Sequence, residues 1–96
     1  MQFIMVGHDG PGGLEIRKTT RGAHIDYWIG AGGVLFAGPL LGADGYPFGS
    51  ILVIEAADEA AARAKFAADP YAMAGLFENT SVSGFKLFIE KGVLIA

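Results

Sequence analysis

The stretch VLFAGPLLGADGYPFGSILVIEA, Val34–Ala56, decides the fold. Two apolar runs, Val34–Leu40 and Ser50–Ala56, flank a segment dense in Gly, Pro and Asp, which is the pattern of two antiparallel strands joined by a hairpin. Gly38-Pro39 is expected to end the first run, because proline has no N–H to give to a ladder. Asp44-Gly45 supplies a favourable turn dipeptide between the runs. A hairpin in the middle of a short chain raises the question of what lies on each side of it.

Upstream, QFIMVG (Gln2–Gly7) reads as a short strand bounded by glycine. The glycines and proline of HDGPGG then make a loop. A helix is expected from Leu14 to Ala31, stopped by Gly30–Gly33, with Leu14, Ile25 and Ile29 clustered on one face beside Lys18 and Arg21. Gly22 weakens this helix by about 1 kcal/mol relative to alanine, so contacts elsewhere must hold it. Downstream, Asp58 can cap the helix EAAARAKFAAD, which ends at Asp69-Pro70 because a residue before proline avoids the helical region. PYAMAGLF has room for another turn. TSVSGFKLFIE (Thr80–Glu90) reads as the last strand, with Phe85, Leu87 and Ile89 on one face. The order is βαββαβ: an α+β, ferredoxin-like fold with a four-stranded antiparallel sheet, expected as a single domain over residues 1–96.

Composition narrows the partners. The net charge is −3 and the seven basic residues are scattered, which argues against nucleic acid and against anionic membranes. No apolar run approaches the length of a membrane span, and the start MQFIMVGHDG lacks a leader pattern, so a cytoplasmic location is expected. With no cysteine there is neither disulfide nor thiol nucleophile. Hydrophobic residues make up 52% of the chain, more than so small an interior needs. Two helices on one sheet face leave the other face open, roughly 400 Å² in projection, near the limit for a monomer. A homodimer closed face to face, an α+β barrel, is therefore expected.

The helix segment RGAHIDYW (Arg21–Trp28) carries the chemistry. His24 lies on the shoulder of the apolar stripe, with Arg17 and Arg21 at i−7 and i−3 and Trp28 at i+4. Flanking cations favour the neutral imidazole that a general base requires. The plain alternative is a half-buried histidine that only packs. Asp69, placed by the sequence at the carboxyl end of the second helix, gains little from the helix dipole there. With both helices on one sheet face, it can accept a bond from His24 Nδ1 and fix the tautomer, as a His-Asp dyad.

The ordered set DGPGGLEIRKTTRGAH, AGPL, GSILVIE and DPYAMAGLF resembles the YciI-like (YCII-related) family over nearly the whole chain. The resemblance implies a dimeric α+β barrel related in fold to muconolactone isomerases, with a His-Asp centre that falls on His24 and Asp69. It also puts Arg21, Asp9 and Ser50 at positions that line the same cleft. Gly84 departs from the family pattern, which more often has proline there. The tail EKGVLIA is longer than usual, and the resemblance makes it an addition to the dimer contact. One characterised line of the family eliminates chloride from a chlorinated hydroxyquinol, which suits one base in a dry pocket. The implied function is proton abstraction or transfer on a small ring or carbonyl compound, without a cofactor. A dimeric metabolite-binding or accessory module is the alternative. A metal on His8, Asp9 and His24 is disfavoured because adjacent residues leaving a strand point apart. The glycine-rich loop lacks G-x-G-x-x-G, and Ser50 lacks a nucleophile elbow.

Overall fold

The computed structural model describes residues 1–95. Its elements run β1 (Gln2–Asp9), α1 (Gly13–Ala31), β2 (Val34–Leu41), β3 (Pro47–Glu55), α2 (Glu59–Ala67), α3 (Pro70–Met73), β4 (Phe77–Phe85), β5 (Ile89–Glu90) and β6 (Val93–Leu94). The first four long strands form one antiparallel sheet in the order β2-β3-β1-β4. This is the ferredoxin-like βαββαβ arrangement that the central hairpin implies.

Strand alternation sorts the two sheet faces. Phe3 and Met5 of β1 pair with Ile54 and Leu52 of β3. All four pack with Trp28 of α1 and with Ala62 and Phe66 of α2 to form the core. Between β1 and β3 the strands come close: a Cβ on Gly49 would lie 2.5 Å from the Gly7 carbonyl oxygen, so this position has no room for a side chain. The opposite face carries Ile4, Val6, Phe36, Ile51, Val53 and Phe85, with Phe36 and Phe85 in edge contact at 6.3 Å between centroids. No helix covers it.

Several boundaries differ from the sequence reading. β2 continues through Pro39 to Leu41, because it is an edge strand and Pro39 needs no partner for the N–H it lacks. β3 accordingly starts at Pro47, and the turn shrinks to the residues around Gly45, whose φ of 83° only glycine adopts readily. β1 runs on to Asp9, beyond Gly7, with a bulge at His8/Asp9 that redirects the chain into α1. The last strand is the largest correction. It begins at Phe77 and stops at Phe85, where the Leu87 N–H donates to Gln2 Oε1 instead of to a ladder. Ile89 lies in a separate two-stranded hairpin with β6, turned by Lys91 and Gly92 at positive φ. Asp58 caps α2 as expected, its carboxylate accepting the Ala61 N–H at 2.8 Å.

The apolar stripe of α1 also has a different neighbour than the core. Leu14 and Ile29 are 50% and 78% exposed, whereas Gly13, Arg17 and Trp28 are the buried positions. The helix is held at its polar and aromatic contacts, which offset Gly22. Tyr27 Oη donates to the Lys65 carbonyl at 2.7 Å, tying α1 to α2.

Candidate active site

Asp69 is the hub of the site. The sequence puts it at the end of the second helix, yet α2 stops at Ala67 with Ala68 as its cap, and Asp69 opens α3 instead. The carboxylate that looked poorly placed at a helix C-terminus accepts the Tyr71 N–H at 2.9 Å at a helix start. α1 delivers two further donors from successive turns. His24 Nδ1 lies 2.7 Å from Oδ1, and Trp28 Nε1 donates to Oδ2 at 2.9 Å. The residue is 1% exposed, so an anion here depends on all three bonds.

This geometry fixes the imidazole. An ionised carboxylate can only accept, so the Nδ1 proton belongs to the bond with Asp69, and Nε2 is the nitrogen left for a ligand. Tyr71 stacks on the His24 ring at 3.9 Å between centroids and 15° between planes. The guanidinium of Arg17 in turn lies 5.3 Å from the centre of the Tyr71 ring.

Beside the imidazole, between α1 and the β2–β3 half of the sheet, a cleft of about 790 Å³ opens. Its apolar walls are the stripe residues Leu14, Ile25 and Ile29 facing Val34, Ala37 and Pro39. The helical periodicity that reads as a buried face is thus the wall of a cavity. Arg17, Lys18, Arg21, His24, Ser50 and Tyr71 are among its polar lining residues.

The structure therefore brings His24 and Asp69 together and places Arg21 and Ser50 on the same cleft. Asp9 is not part of the cleft lining. Its carboxylate is clamped by Arg17, with Nε at 2.7 Å and Nη2 at 3.0 Å. Arg17 also donates from Nη2 to the Gly49 carbonyl at 2.7 Å and to Ser50 Oγ at 2.9 Å. His8, the other histidine, faces the open side of the sheet and bonds Asn79 Oδ1 at 3.1 Å. It shares no ligand geometry with His24, and among the described residues no cluster of three or more His, Cys, Asp or Glu gathers. The sequence places Arg17 beside His24 only as a flanking cation; its clamp on Asp9 and the stacking of Tyr71 on the imidazole are what sequence reasoning missed. Arg17 sits two helical turns before His24, and Tyr71 follows the Asp-Pro step by one residue, so spacing alone would have nominated both. Burial pushes the Tyr71 phenol above its usual value, against the pull of Arg17 and Arg21.

Comparison with known proteins gives a consistent picture. Residues 1–86 match the YCII-related domain. The chain is 34% identical over 96 residues to Protein YciI of Escherichia coli O6:H1, covering 90% of this chain and 97% of that one. Protein YciI of Shigella flexneri matches to the same extent, 34% over 90% and 97%. In structure it is similar to TftG, the 5-chloro-2-hydroxyhydroquinone dehydrochlorinase of Burkholderia phenoliruptrix AC1100, solved in complex with 2,5-dihydroxybenzoquinone. That likeness has a TM-score of 0.82 at 33% identity, over 90% of this chain and 94% of TftG.

Proposed function

Because the chain belongs to the YCII-related domain family, we propose that it is a small cofactor-independent enzyme of lyase or isomerase type. Nε2 of His24 takes a proton from a small ring or carbonyl compound held in the cleft. The electron pair left behind moves into the ring. In a lyase step it expels a leaving group as an anion; in an isomerase step the imidazolium returns the proton to another carbon. Asp69 holds the tautomer and stabilises the imidazolium. Arg21 and Lys18, on the exposed rim of the cleft, draw in a substrate bearing an ionisable oxygen. TftG's chemistry and its bound quinone favour the same class of substrate here. This makes 5-chloro-2-hydroxyhydroquinone the first substrate to try and 2,5-dihydroxybenzoquinone the first ligand.

The observation that carries this reading is the 2.7 Å contact between His24 Nδ1 and Asp69 Oδ1. Long-range proton–nitrogen NMR spectra of the neutral ring are expected to show one tautomer, protonated at Nδ1. Asp69→Asn is expected to lose that single tautomer. Identical spectra in both proteins remove the dyad and leave the alternative, a module that binds a metabolite in the cleft without turning it over.

The active unit we take to be a homodimer closed over the uncovered sheet face, where Phe36 is 42% exposed. Light scattering at micromolar concentration is expected to give twice the 10.0 kDa chain mass. A mass matching one chain rules out this closure.

A further inference from the structure

We propose that Arg17, Ser50 and Tyr71 form a recess for one anionic oxygen of the substrate, the enolate or phenolate that develops as His24 removes a proton. This rests on the proton-abstraction reading above and specifies where its negative charge goes.

The bonding of Arg17 is the first support. The side chain lines the cleft although the residue is only 9% exposed. Its hydrogen bonds run from Nε and Nη2, to Asp9, the Gly49 carbonyl and Ser50 Oγ. Among the described residues Nη1 makes no hydrogen bond of good geometry, and the guanidinium reaches close enough to the Tyr71 hydroxyl to pull its pKa down against burial. Ser50 is 5% exposed and accepts from Arg17, and its own proton is given to no acceptor among the described residues. An arginine that donates into a hydroxyl oxygen makes that hydroxyl a better donor in turn.

Tyr71 repeats the pattern. It is 3% exposed and lines the cleft, and among the described residues its hydroxyl proton is likewise given to no acceptor. No buried side-chain nitrogen or oxygen among the described residues lacks a partner, so this hydroxyl is not sealed in the core but opens on the cavity. Burial keeps the phenol protonated and therefore a donor near neutral pH. The hydroxyls of Ser50 and Tyr71 thus line one cavity with no acceptor of their own, beside the guanidinium of Arg17, which is the electrostatic shape of an oxyanion site. Asp9 already balances the charge of Arg17. The recess therefore suits a single oxygen on an otherwise apolar ring, matching the apolar walls, better than a phosphate group.

The test uses the full chain and two probes, 2,5-dihydroxybenzoquinone, ionised at neutral pH, and its uncharged dimethyl ether, with binding followed by calorimetry. Tyr71→Phe retains the ring stacked on His24 and the backbone N–H bonded to Asp69, and Ser50→Ala retains the strand. Each is expected to weaken binding of the anion about tenfold, while binding of the ether changes by no more than about twofold. The His24 tautomer is expected to stay as in the wild type. If both variants bind the anion as the wild type does, or if the wild type does not prefer the anion to the ether, the recess is overturned. A preserved His24 tautomer would then leave proton abstraction standing. If the anion preference falls as expected in a protein whose His24 shows no coupling to Asp69, the recess stands and the base is wrong.

Discussion

The proposed turnover, assayed with 5-chloro-2-hydroxyhydroquinone, is expected to fall about a hundred- to ten-thousandfold in His24→Asn, the usual worth of a positioned general base. Asparagine puts its amide N–H where Nδ1 stood, so the carboxylate of Asp69 is not stranded. What disappears is the basic nitrogen left by the 2.7 Å Nδ1 contact. Circular dichroism and the denaturation midpoint establish that the variant is folded, so the comparison concerns chemistry. Chloride release measured under saturating substrate should show the loss in kcat, since the base acts on the bound compound. Release that persists at the wild-type rate would assign the proton to another group.

Asp69→Ala is expected to lower the unfolding free energy by about 3–5 kcal/mol, because three buried donors lose their acceptor at once. Those donors are His24 Nδ1, Trp28 Nε1 and the Tyr71 N–H. The same change removes the cap of α3, through which α1 is tethered near the centre of the site. Asp69→Asn should cost distinctly less, since asparagine is a good cap and keeps one acceptor oxygen. Urea titrations of both variants make the comparison. A loss below about 1 kcal/mol in the alanine variant would mean that water replaces the carboxylate, and that the site is wetter than its geometry implies.

The pairing of His24 with Asp69 was legible because two local rules agree. Helical spacing puts His24 beside the cations and Trp28, and the Asp-Pro step breaks the chain just after the second helix, where a ferredoxin-like topology returns it toward the first. The role of the stripe Leu14–Ile25–Ile29 was not legible, since periodicity reports an apolar face and not what stands opposite it. The burial of Arg17 escaped for a related reason. A buried cation is recognisable only through its partners, and Asp9, Gly49 and Ser50 lie on two other strands. The run Thr80–Glu90 looked like one strand because its alternation continues past the point where the ladder ends. Nothing in that pattern shows that Gln2 takes the Leu87 N–H.

The chain contains one tryptophan, and its indole N–H is bonded to the carboxylate that steadies the imidazole. Its fluorescence therefore comes from a single place, one side chain away from His24. Occupancy of the cavity, or a change in the charge state of the histidine, should alter emission intensity or wavelength. The protein carries a built-in optical gauge of its own site, readable in a cuvette without label or substrate assay.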